Sequence, residues 1–158
     1  MSSSSSNLQV LSILLERAEA ERDEGLRQLQ DAQARAQRAR AQHGDLAQYR
    51  NDYQLRWSQQ FARQGTMDIV GCYQNFGMRL NDAITSQSHI AEFADQRVQN
   101  AREQLQALEM RVASVRKLLE RRRLEISRSA QRQEQKATDE QASRAAYASA
   151  NPFVRLSA

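Results

Sequence analysis

The side chains best suited to ligate a transition metal or act as a nucleophile are His43, Cys72 and His89. A zinc centre needs three or four thiolate, imidazole or carboxylate ligands brought together. Here Cys72 is set apart from both histidines and no carboxylate spacing supports it. One histidine falls on an apolar seam and the other reads as a surface residue. There is no glycine-rich phosphate loop, no nucleophile elbow and no zinc-type ligand spacing. The sequence therefore predicts no catalytic residue, no metal and no cofactor. A single cysteine excludes an internal disulfide and fits a reducing compartment.

Two groups of residues suit binding instead. Arg111, Arg116, Lys117, Arg121, Arg122, Arg123, Arg128 and Arg132 form a basic band against only Glu109, Glu120 and Glu125. Such a band can neutralise phosphates, but no aromatics interleave it for base stacking. An acidic protein surface is the better partner, and nucleic-acid binding remains an alternative. The second group is aromatic: Tyr49, Tyr53, Trp57, Phe61, Tyr73 and Phe76 cluster around the midpoint. Partly exposed Tyr and Phe are common interface anchors.

Long helices must carry both groups. From Leu80, steps of four and three residues give Leu80, Ile84, Gln87, Ala91, Ala94, Val98, Ala101, Leu105, Leu108, Val112, Val115, Leu119, Arg122 and Ile126. Twelve of these 14 are apolar. A 3.5-residue repeat held this long keeps one narrow seam on one side of a helix, which only another helix can bury. The same stepping runs earlier through Leu8, Leu11, Leu15, Ala18, Arg22, Gly25, Leu29, Ala32, Ala36, Ala39, His43, Leu46, Arg50, Tyr53 and Trp57, of which 11 are apolar. Aromatics at 6%, a lone proline at position 152 and a mean hydropathy of −0.80 argue against a thick core. The net charge of +4 and pI near 9.7 make the chain mildly basic. No secretory leader is visible, and the longest aliphatic run, Ile13-Leu14-Leu15, is far short of a membrane span.

The expected organisation is a single all-α domain. It has a flexible start at 1–7, helix 1 at 8–62, a loop at 63–73, helix 2 at 74–148 and a flexible tail at 149–158. Ser6 with Gln9 reads as a capping box for helix 1. Gly65, Gly71 and Gly77 mark the reversal, since glycine disfavours helix interiors and permits left-handed turns. Reversal makes the helices antiparallel, with facing positions summing to about 133 or 134. Leu8 then meets Ile126, Leu11 meets Arg122, Gly25 meets Leu108, Ala32 meets Ala101, Ala39 meets Ala94 and Tyr53 meets Leu80. An intermolecular coiled coil of continuous helices is the alternative. Helix 2 outlasts helix 1 in this register, leaving Ser127–Ala148 as a polar overhang whose stabilising partner is another molecule.

Glu134-Gln135-Lys136-Ala137-Thr138-Asp139-Glu140, followed by Ala142 and Arg144, resembles the signature closing the last helix of the FliJ family of flagellar export proteins. Tyr49 and Tyr53 resemble its tyrosine pair, and Phe76, Leu80, Asn81, Ala83, Ile84 and Gln87 resemble the row opening its second helix. The resemblance implies an antiparallel two-helix coiled coil similar to the gamma stalk of rotary ATP synthases. It implies that the helix termini enter the hexameric export ATPase, FliI, through Leu8, Leu11, Leu15, Arg122, Arg123, Glu134, Gln135, Lys136, Asp139 and Glu140. It also implies contact with the cytoplasmic part of the export gate protein FlhA through Gln42, Leu46, Tyr49, Tyr53, Phe76, Leu80, Ala83 and Gln87, where Gln87 replaces a usual histidine. Export chaperones are further implied partners. The implied location is cytoplasmic and peripheral to the inner membrane. ATP hydrolysis belongs to the partner. The stalk of an injectisome, and a dimeric spacer, are the alternative readings.

Overall fold

The computed structural model describes residues 2–63 and 65–151, with the side chain of Ser2 left aside. Two helices make up the described chain: α1 (Ser2–Phe61) and α2 (Met67–Ala150). They pack antiparallel as a two-helix coiled coil, and the chain divides into two compact units. One is Ala20–Met110, which contains the reversal; the other combines Met1–Glu19 with Arg111–Ala158.

In the unit that contains the reversal, the connection is shorter than the sequence suggests. The Arg63 amide bonds to the Gln60 carbonyl at 3.1 Å, tightening the end of α1. The Thr66 carbonyl accepts the Val70 amide at 3.1 Å, making Thr66 the cap residue of α2. Asp68 in the first turn of α2 faces the positive end of the helix dipole. The expected loop at 63–73 is thus corrected: α1 ends at Phe61 and α2 begins at Met67. Gly71 and Gly77 lie inside α2, and no described glycine has a positive φ. The glycines did not mark a left-handed turn, because neighbouring helix formers and the packed aromatics outweigh two weak helix residues.

The seam of this unit is the one that the periodicity names. Along α2, Leu80, Ile84, Ala91, Val98 and Leu105 are buried, and Gln87, Ala94, Ala101 and Leu108 are half-buried. On α1, Gly25, Ala36 and Ala39 are buried, and Arg22, Leu29, Ala32, His43, Leu46, Arg50, Tyr53 and Trp57 are half-buried. The expected register holds at Gly25, where an added Cβ would stand 2.7 Å from Leu108 Cδ1. Ala32, Ala39, Ala94 and Ala101 also line one groove. Polar seam residues send their heads outward: Arg22 reaches Asp23 at 3.0 Å, and Arg50 reaches Asn81 at 3.4 Å. Gln87 donates to the Ala39 carbonyl at 3.3 Å and to Gln42 Oε1 at 3.1 Å, a hydrogen-bonded tie across the seam.

In the unit that holds the chain's two ends, Ala18, Val112 and Leu119 are buried, while Leu8, Leu11, Leu15, Val115, Arg122 and Ile126 are half-buried. Arg116 Nη2 pairs with Glu19 Oε1 at 2.8 Å beside this seam. The start of α1 corrects the expectation: the helix begins at Ser2 rather than Leu8, and Ser6 is an interior residue rather than a cap. The reason is that α2 still offers a surface there. Ser4, Ser5 and Leu8 border a groove with Ile126, Ser129, Ala130 and Gln133. Pairing thus extends to about Gln133, six residues beyond the expected start of the overhang. The helix also runs to Ala150 instead of 148. Residues 152–158, the body of the expected flexible tail, lie outside the described residues, as do Met1 and Gln64.

Candidate functional surfaces

Beyond Gln133, α2 continues as an unpaired helix. Every residue from Ser127 to Ala150 is exposed. It stays helical because it prolongs an existing helix and so pays no nucleation cost, and because Gln, Ala, Glu, Lys and Arg are good helix formers. Thr138 and Ser149 fold their hydroxyls back onto the Glu134 and Ala146 carbonyls at 2.9 Å. Glu134, Lys136, Asp139, Glu140 and Arg144 are exposed and make no ion pair among the described residues. Gln135 shares this exposure.

The remaining residues expected at an ATPase contact fall into two sets. Leu8, Leu11 and Leu15 are half-buried in the seam, where they close the helix pair. Arg122 is also a seam residue: its Nη1 bonds to Glu125 Oε2 at 3.0 Å, and its buried Nε has no hydrogen-bond partner. Arg123 is exposed. Of the basic band, Arg116 is committed to Glu19 and Arg122 to Glu125. Lys117, Arg121, Arg123, Arg128 and Arg132 make no ion pair among the described residues.

Near the reversal, six rings form a continuous cluster with Tyr53 at its centre. Tyr53 contacts Phe76 at 4.7 Å between ring centroids, Tyr73 at 5.4 Å, Trp57 at 5.8 Å and Tyr49 at 6.4 Å. Phe61 joins through Trp57 at 5.3 Å and Tyr73 at 5.4 Å. Tyr53 was expected opposite Leu80; its ring partners Phe76 and Tyr73 lie one and two turns nearer the connection. Burial raises the Tyr53 phenol above its ordinary value, and the neighbouring Tyr73 and Tyr49 add to the effect.

The eight residues expected at a gate contact divide by exposure. Gln42, Tyr49, Phe76 and Ala83 are exposed; Leu46, Tyr53 and Gln87 are half-buried; Leu80 is buried. Leu80 and Gln87 therefore hold the helices together, and the outward surface is made by the other residues. Trp57, Phe61 and Tyr73 extend the cluster, and their seam spacing and aromatic type were the signal that includes them.

His89 is exposed and sits 3.8 Å from Glu92, whereas His43 is half-buried in the seam. Cys72 is an exposed free thiol. Among the described residues no group of three or more His, Cys, Asp or Glu is placed to hold a metal. No described helix is long and apolar enough to cross a membrane.

No curated protein and no solved structure matches the chain. The family described as "Flagellar FliJ protein" matches it over residues 7–151. That span takes in both seams, the aromatic cluster and the unpaired end of α2, and it favours the flagellar over the injectisome reading. The chain belongs to the FliJ family, whose role is associated with flagellar protein export.

Proposed function

We propose that this chain is a non-enzymatic adaptor that docks on the hexameric export ATPase and also engages the export gate. The unit holding the chain ends makes the ATPase contact, with Glu134, Gln135, Lys136, Asp139 and Glu140 as its outermost charges and Arg123 beside the seam. Leu8, Leu11, Leu15 and Arg122 fix the helix pair from which those residues extend. The gate contact uses Gln42, Tyr49, Phe76 and Ala83, with Leu46, Tyr53, Leu80 and Gln87 behind them. Handling of export chaperones belongs to the same reading, as does a position at the cytoplasmic face of the inner membrane.

The unpaired end of α2 is the observation that carries this. A fully exposed helix with five uncommitted charges gains nothing from its own chain, so a binding partner is its natural use. Deleting Gln133–Ala158 should abolish binding to the export ATPase and stimulation of its hydrolysis, while helicity of the remainder persists. Tyr49→Ala should weaken gate binding and spare ATPase binding. Tyr49 is the better probe than Tyr53, because Tyr53 is the centre of ring packing. Stimulation that survives the deletion rejects the ATPase contact.

A further inference from the structure

An antiparallel helix pair has two flanks, and the seam fixes which side chains line each. Positions just after alternate seam residues line one flank. In the unit holding the chain ends these include Glu19, after Ala18, and Arg116, after Val115, which pair at 2.8 Å. Positions just before the other seam residues line the opposite flank. There the same unit presents Leu14, before Leu15, and Leu118, before Leu119, exposed by 46% and 50%. Val10, one turn from Leu14, is exposed as well. One flank is thus closed by an ion pair, and the other offers uncovered aliphatics to another molecule.

The charges of that flank say which molecule. Along the single helix α2, the row through Leu118 has Arg111 seven residues before it and Glu125 seven after. Arg97 stands 21 residues before it and Asp139 stands 21 after, while Gln104 mirrors Arg132. The row is therefore a charge palindrome centred on a leucine. A twofold axis through Leu118, perpendicular to α2, would lay a second copy antiparallel on the first, so that each residue meets its mirror position. Arg97 then meets Asp139, Arg111 meets Glu125, and Leu118 meets itself. On α1, Leu14 also meets itself, and Glu21 meets Asn7. In the next row outward Arg17, Arg121 and Arg128 meet Val10, Ser114 and Ala107, so no like charges oppose one another. Glu16 and Glu120 directly follow the seam residues Leu15 and Leu119, which puts them towards the ion-paired flank, and Lys117 falls on the back of α2. Glu125 already bonds to Arg122, whereas Arg97, which stacks on Phe93 at 5.2 Å, and Asp139 make no ion pair among the described residues. A surface of uniform negative charge would meet Glu125 and Asp139 as well as the arginines; a second copy answers both signs at once. We infer that this flank is the interface of a twofold-symmetric antiparallel dimer, with Leu14 and Leu118 at the axis and Arg97 paired to Asp139 on either side of it. The inference concerns the chain alone and is independent of the ATPase reading.

The test uses the full chain by itself. Sedimentation equilibrium should give twice the chain mass, and Leu14→Ser with Leu118→Ser should weaken dimerisation about tenfold or more with helicity unchanged. Arg97→Glu and Asp139→Arg should each weaken it about fivefold. Combined, they should restore it, because the exchanged charges again meet across the axis. In a Cys72→Ser background, Leu118→Cys should give a disulfide-linked dimer under mild oxidation, and Arg123→Cys, on the ion-paired flank, should not. A monomer at every concentration overturns the inference. So does a dimer indifferent to the leucine variant, or one that the combined charge exchange leaves as weak as either single change. Retention of a monomeric chain on phosphatidylglycerol vesicles, lost in the leucine variant, would overturn it in favour of a lipid surface.

Discussion

Gly25 and Leu108 face each other so closely that a Cβ on Gly25 would lie 2.7 Å from Leu108 Cδ1. The glycine is there for the approach, since its φ is negative and any residue could adopt it. The nearest atom is the end of a leucine that can rotate, whereas the nearest backbone atom, Leu105 Cα, is 4.0 Å away. In Gly25→Ala, the gain in helix propensity of about 1 kcal/mol offsets a rotamer cost of about 0.5–1.5 kcal/mol. The variant should therefore melt close to the parent. Gly25→Leu overfills the seam and should cost about 1–3 kcal/mol. Adding Leu108→Ala should recover part of that loss in urea titrations, and additive effects in this double-mutant cycle would show that the two residues do not touch.

Gly44, Gly71 and Gly77 behave differently. Each is helical, and a Cβ at any of them would meet nothing within 4 Å. Replacing each by Ala removes backbone freedom from the unfolded chain without a clash. Each substitution should stabilise by about 0.5–1 kcal/mol, read as a higher urea midpoint. A loss of stability at Gly71 or Gly77 would mean that the start of α2 must bend there.

The contrast between these glycines shows where the sequence was legible. Both seams were readable residue by residue, because a narrow stripe at 3.5-residue spacing has only one way to be buried. Ile84, Ala91, Val98, Leu105, Val112 and Leu119 are all buried as the spacing demands. The limits of the helices were not readable. Gly71 and Gly77 carry a local preference against helix that packing overrides, and Ser2–Asn7 carry no apolar step although α2 supplies them a neighbour. The candidate surfaces were legible in part. Tyr49 and Phe76 were found by type, but Leu80 and Gln87 sit in the same row and turn inward.

Arg122 occupies a seam position that a leucine would fill. Its Nη1 escapes to Glu125 at 3.0 Å, but its Nε is buried without a partner. An unsatisfied buried donor costs on the order of 1–3 kcal/mol, more than an exposed pair three residues apart returns. Arg122→Leu should raise stability by roughly 1 kcal/mol, or about 2–4 °C in melting temperature for a chain of this size. A lower melting temperature would show that the guanidinium stem and its link to Glu125 are worth more than the orphaned donor costs.

Tyr53 predicts how the aromatic cluster responds to alkali. Burial, and then the Tyr73 and Tyr49 neighbours, raise its phenol above the ordinary value of 10.0. The folded state therefore holds the Tyr53 proton more tightly than the unfolded chain does. Stability from this group is fully present below the unfolded value. It declines as pH rises through that value towards the raised folded one, because there the native state binds more protons. From about pH 9 to about pH 11 the parent should lose melting temperature faster than Tyr53→Phe, which keeps the ring contacts with Phe76 and Tyr73 and has no proton to lose. Tyr49→Phe, at the exposed edge of the cluster, should follow the parent. Parallel pH profiles for the parent and Tyr53→Phe would show that Tyr53 ionises as freely in the fold as in the open chain.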